Sequence, residues 1–145
     1  MTAPPRYWTR EFVDALAEAL GRSDRFQRAA SGFSEALILR CLDTPDRQDC
    51  AATFVFERGR LVRHSYEAYD APSRLRGQPF DNKSALARST APYGLWVRLD
   101  RGEISVPQAL LSPDYDIQGY KLKIMRYVGV LTAMNAVVAA LPKTY

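Results

Sequence analysis

Two groups of side chains in this chain have the types needed for covalent or acid–base chemistry. The single histidine, His64, and two cysteines, Cys41 and Cys50, form the first. A thiol nucleophile wants a histidine beside it to take its proton, so that chemistry depends on whether the fold brings His64 to a sulfur. Asp114 and Asp116 alternate so that both project to one side of an extended segment, with Glu103 close in sequence. Paired carboxylates can do acid–base work or hold a hard cation. Each group has a plainer role as well. Two reduced thiols behave as small hydrophobes, a histidine is an ordinary strand residue, and strand carboxylates face solvent. No CxxC pair occurs, and one histidine cannot build a His-rich metal site. GxGxxG, GxxxxGK and GxSxG are missing too. Neither a cofactor nor a resident metal is called for, and no catalytic residue is assigned.

Binding chemistry is written more plainly, in the stretch Ile124 to Leu141, which is apolar almost all the way round. Such a helix needs a core, a bilayer or a hydrophobic ligand against it. Arg126, Thr132 and Asn135 interrupt it, and the run from Tyr127 to Leu141 is shorter than the ~20 apolar residues of a membrane span. A buried helix is expected. Its bulkier positions, Met125, Val128, Leu131, Thr132, Met134, Asn135 and Val138, are expected to face a cavity. Ala133, Ala136, Ala139 and Ala140 would let the sheet approach closely. Methionine adapts to irregular space, and Asn135 and Thr132 could supply the few polar contacts that orient a headgroup. Tyr93 and Trp96, one helical turn apart, would add an aromatic wall near Leu110 and Leu111 if their two helices pack together. The candidate ligand-binding set is Tyr93, Trp96, Leu110, Leu111, Met125, Val128, Leu131, Met134, Asn135 and Val138, with plain core packing the competing role for each.

Composition bounds the rest. A chain of 145 residues with 47% hydrophobic and 25% charged residues suits one soluble domain, residues 1–145, able to bury a core. Residues 1–8 are expected to be a flexible N-terminus. The net charge of +4 comes from scattered basic residues. Nucleic-acid binding needs a concentrated stripe or aromatic–basic interleaving, and neither is present. Transient contact with an anionic membrane surface stays open. The N-terminus lacks the apolar core of a signal peptide, so the cytoplasm is the expected compartment.

The elements that must position these residues follow from periodicity. Thr9 caps a helix to Leu20 with Phe12, Val13, Leu16 and Leu20 on one side, and Ser23 caps a short helix from Asp24 to Ala30. Phe33 to Leu42 and Asp49 to Glu57 read as strands about a turn at Thr44-Pro45-Asp46-Arg47. A symmetric turn sets Cys41 opposite Cys50, Leu39 opposite Ala52 and Leu37 opposite Phe54, placing one apolar set, completed by Phe56, on one face. Arg58-Gly59-Arg60 leads into a third strand, Leu61 to Tyr69. A two-residue loop aligns Phe54 and Phe56 with Arg63 and Leu61, whereas a three-residue loop aligns them with His64 and Val62, so the direction of His64 is open. Asp70 to Pro79 is a long connection and a candidate lid or portal. Phe80 to Arg88 is a weaker strand. Ser89-Thr90 reads as the cap of a helix from about Ala91 to Gly102, and Ser105 as the cap of another that Pro113 closes. Tyr115 to Gln118 is a short strand ended by Gly119. The order α-α-β-β-β-loop-β-α-α-β-α means α+β: one mostly antiparallel sheet with helices packed on one face.

This order resembles that of the sterol carrier protein domain family (type two). The residues carrying the resemblance are Leu95-Trp96-Val97-Arg98-Leu99 running to Asp100-Arg101-Gly102-Glu103, then Val106-Pro107-Gln108-Ala109-Leu110-Leu111. After them come Asp114-Tyr115-Asp116-Ile117-Gln118-Gly119 and the apolar helix to Leu141. The family commonly has Gly-Lys before its last strand, where this chain has Ser112-Pro113-Asp114. Lys121 to Ile124 also looks like that strand, but the earlier placement leaves a whole helix after Gly119. The resemblance implies a five-stranded sheet whose helical face encloses an apolar tunnel for fatty acyl chains, sterols or similar lipids. It thereby implies non-catalytic binding, transfer or presentation of a hydrophobic ligand; a monomer or weak homodimer is expected. Two other classes remain: a small enzyme acting on a hydrophobic substrate in the same pocket, and an accessory protein docking through its apolar C-terminal helix.

Overall fold

A computed structural model describes residues 3–145. Five strands, β1 (Ala36–Leu42), β2 (Gln48–Glu57), β3 (Arg60–Asp70), β4 (Ala87–Pro92) and β5 (Asp116–Gly119), form one sheet in the order β3-β2-β1-β4-β5. Only β1 and β4 run parallel; the other neighbours are antiparallel. Six helices, α1 (Arg10–Arg22), α2 (Asp24–Ala29), α3 (Tyr93–Asp100), α4 (Val106–Leu110), α5 (Lys121–Arg126) and α6 (Val128–Ala140), complete the α+β fold. Local chemistry starts several of them. The hydroxyls of Thr9 and Ser23 accept from the backbone N–H groups of Phe12 and Phe26, and Ser105 forms a reciprocal capping box with Gln108.

The β1–β2 register pairs Cys41 with Cys50, Leu39 with Ala52 and Leu37 with Phe54, as turn position and polarity require. The β2–β3 register uses both of the alignments left open. Phe56 pairs with Leu61 and Phe54 with His64, because a bulge between Val55 and Phe56 leaves Val62 as the extra residue. His64 therefore lies on the helical face of the sheet. Glu35 falls just before β1 and pairs with Lys123, Oε1 to Nζ 2.7 Å.

Several expectations are corrected. Ser89 and Thr90 do not cap a helix: they are buried in β4, beside Leu39 and Arg40 of β1, and the helix begins only at Tyr93, after Pro92. Phe80 to Leu86 accordingly lies in the connection. The apolar helix is two helices. Tyr127 breaks it, donating its N–H to Ile124 in a tight i→i−3 bond while its ring packs edge-on against Phe33 at 4.9 Å. The expected flexible N-terminus is corrected over Arg6 to Trp8: Arg6 bridges Thr144, and Tyr7 and Trp8 are buried. Met1 and Thr2 lie outside the described residues.

Asp70 to Pro79 is not a lid over the helical face. Since β3 is at the sheet edge and β4 lies beyond β2 and β1, the connection must cross the back of the sheet. There Asp49, buried on β2, accepts from Arg76 Nε and Nη2 (2.9 Å each) and from the Ser73 N–H and hydroxyl (2.9 and 2.8 Å). The Arg76 guanidinium, reinforced by these donors, holds the Asp49 carboxyl well below its ordinary pKa. Arg40 adds a bond to the Leu75 carbonyl. The loop is a bolted cover.

Candidate functional site

Between the sheet and α6 lies an apolar cavity of about 70 Å³. Its floor is the inward face of the strands: Leu37 and Leu39 of β1, Ala52 and Phe54 of β2, Ala87 and Ser89 of β4. Phe12, Val13 and Leu16 of α1 form one wall, with Trp96 and Leu99 of α3 and Val106 and Ala109 of α4 contributing others. Leu131, Met134, Asn135 and Val138 of α6 line it from above, and Tyr7, Trp8 and Tyr115 add further lining. The space exists because α6 packs mainly on other helices, α1, α2, α3 and α4, which hold it off the sheet. The alanine stripe is corrected with this arrangement. Ala136 and Ala140 border a groove against Ala19, Arg22 and Arg25 of α1 and α2, so the close approach is to helices.

Of the ten candidate ligand-binding residues, the fold brings Trp96, Leu131, Met134, Asn135 and Val138 together on this cavity. It does not bring the others. Leu111 and Met125 point outward, 86% and 61% exposed. Tyr93, Leu110 and Val128 are half-buried and lie off the cavity wall. The break at Tyr127 separates Met125 from α6, and the separate helix α5 buries Ile124 and exposes Leu122 and Met125. Thr132, the second polar candidate of α6, also lies off the wall.

None of the described residues lining the cavity is charged. Two of its polar groups are spoken for within the protein: Tyr7 donates its hydroxyl to the Trp96 carbonyl at 3.2 Å, and Trp96 Nε1 donates to the Arg40 carbonyl at 3.0 Å. Burial pushes the phenols of Tyr7 and Tyr115 up in pKa, so both stay neutral. The signal for Tyr7 and Trp8 was weak in sequence, since they sit before the first periodic segment and their partners come from residues 66, 96 and 144.

The reactive candidates stand apart from this space. Cys41 and Cys50 are opposed, reduced and fully buried, and burial raises the Cys41 thiol pKa. His64 pairs with Phe54, four residues along β2 from Cys50, or about 13 Å at strand rise. Its Nε2 donates outward to Asp14 Oδ1 at 2.9 Å. Asp114, Asp116 and Glu103 are all exposed. Among the described residues, no helix is long and apolar enough to cross a membrane.

No family model and no curated protein matches this sequence. Solved structures do match its fold. A sterol carrier protein 2 superimposes with a TM-score of 0.74 at 16% identity, over 94% of this chain and 99% of that one. A conserved hypothetical protein of Thermus thermophilus, considered a possible sterol carrier protein, gives 0.72 at 15% identity, over 98% and 94%. The ubiquinone synthesis protein UbiJ gives 0.52 at 14% identity, over 90% and 89%. The chain has the sterol-carrier-protein fold.

Proposed function

We propose that this protein binds a hydrophobic ligand in the cavity beneath α6 and transfers or presents it without chemistry of its own. The observation that carries this reading is the wall itself: apolar side chains from both the sheet and the helical layer meet around a space that the core leaves unfilled. Burial drives binding, at roughly 25 cal/mol per Å² of apolar ligand surface removed from water. The enzyme alternative needs a titratable group aimed into the pocket, and His64, Asp114 and Asp116 all face elsewhere. The similarity to sterol carrier proteins and to a ubiquinone synthesis protein fits a lipid as the ligand.

At about 70 Å³ the cavity is small beside the roughly 300 Å³ at which drug-sized sites begin, so loading requires it to widen. The movable wall in this proposal is α6, whose C-terminal end is latched by Lys143: Nζ donates to the carbonyls of Val138 and Leu141 and pairs with Asp100 at 2.8 Å. Leu122 and Met125, exposed beside Lys121 and Arg126 on α5, suit transient contact with an anionic membrane during exchange. Native mass spectrometry of gently prepared protein is expected to show bound lipid that organic extraction removes. A chain of unliganded mass that also fails to take up fatty acyl or sterol probes in titration would refute the proposal.

A further inference from the structure

We infer that Trp8 supplies the polar recognition in the cavity: its indole N–H donates to an oxygen acceptor (ketone, ester or hydroxyl) of a neutral lipid, and the site discriminates against ionised fatty acids. This rests on the lipid-binding reading above and names the ligand class.

The aromatic N–H and O–H groups at the wall are not equivalent. Tyr7 and Trp96 have protein acceptors, but Trp8 Nε1 is closed off from solvent and has none. Buried donors without partners are uncommon because each carries a standing penalty, which a suitably placed acceptor removes. Trp8 is only 5% exposed and borders the free space of the cavity. Its placement is also enforced. Its φ of 59° is left-handed, a conformation that bulky L-residues rarely adopt. Surrounding groups hold it there: the Trp8 carbonyl accepts from the Tyr66 hydroxyl at 3.0 Å and the Cys50 thiol at 3.7 Å. The indole packs on Trp96 at 5.1 Å between ring centroids. Strain maintained by so many contacts is characteristic of ligand clamps. A buried donor that lacks a protein acceptor, in a wall without charge, selects for a neutral acceptor. A carboxylate would shed its water and meet no cation.

The test uses the full chain, delipidated and labelled with 15N, titrated at pH 8 with three probes of similar length: 2-tridecanone, tridecane and dodecanoate. The ketone is expected to bind about threefold to tenfold more tightly than the hydrocarbon and to move the Trp8 indole proton downfield. Dodecanoate is expected to bind more weakly than the ketone. In Trp8→Phe the ketone and the hydrocarbon should bind equally. If that variant does not fold, Trp96→Phe assigns the Trp8 resonance and the wild-type shift decides. Equal ketone and hydrocarbon affinity with an unmoved Trp8 resonance overturns the inference and leaves lipid binding standing, as does tighter binding of dodecanoate. Binding of none of the three overturns the lipid-binding reading and the inference with it.

Discussion

Replacing Ala109 by leucine separates a ligand site from a packing defect. Ala109 is 1% exposed, sits on α4 and contributes its methyl group to the cavity wall. Leucine adds three carbons directed into a space of about 70 Å³. At ~24 cal/mol per Å³ of cavity, full occupation is worth about 1.7 kcal/mol. Imperfect fit reduces that, so a gain of about 1 kcal/mol is expected for delipidated Ala109→Leu in urea unfolding, seen as a higher midpoint at unchanged slope. Lipid must be removed first, because bound ligand adds its own stabilisation by mass action. Uptake of an acyl probe by the same variant should fall at least tenfold, since the added side chain competes for the same volume. A more stable variant that keeps wild-type uptake would refute the assignment of the site. A variant destabilised by about 1–3 kcal/mol, as in overpacked cores, would show that the space is not free to be filled.

The Asp49 network makes the acid limb of stability predictable. Its carboxyl is held below the ordinary value, so its contribution is complete above about pH 5 and is lost as pH falls through about 4 toward the folded-state value. Asp49→Asn should cost roughly 2 kcal/mol at pH 7, with the difference in urea midpoint from wild type narrowing below pH 4; a pH-independent difference would contradict this. Lys143 and Asp100 form an ion pair with side chains only 5% and 3% exposed. Lys143→Met should therefore cost about 3–5 kcal/mol by stranding a buried carboxylate, and Asp100→Leu in the same chain should recover most of it. A loss below about 1 kcal/mol in the single variant would show that water reaches the pair.

The hairpin was legible in the sequence because two independent signals agree there. Turn chemistry at Thr44 to Arg47 and the alternation ending at Cys41 and beginning at Cys50 require one register. Strand β5 was legible because Gly119, at φ 139°, takes a backbone conformation that other residues avoid. The β4 boundary was not. Ser89-Thr90-Ala91-Pro92 has the composition of a helix entry, and only the neighbouring β1, with Arg40 Nε donating to the Thr90 hydroxyl at 2.8 Å, makes it a strand. Half of the candidate residues line the cavity, and four of these were legible because Leu131, Met134, Asn135 and Val138 share a face on any helix through them. Met125 was misplaced because it belongs to a separate helix, and the contact at the break, Tyr127 against Phe33, joins residues far apart in sequence. Trp8 lay beyond the reach of periodicity altogether.

The pairing of Arg6 and Tyr7 with Thr144 has a consequence for biosynthesis. Tyr7 and Trp8 are translated before every strand and helix described above, whereas Thr144, which pairs beside them, is translated after all of them. The strands and α1 can assemble earlier, but the wall around Trp8 is finished only when Thr144 has been translated and released from the exit tunnel. A nascent chain that stops before Thr144 thus has one side of the cavity unsecured. If the cavity takes up a ligand as proposed, a ribosome stalled short of Thr144 would display a folded sheet that retains that ligand poorly.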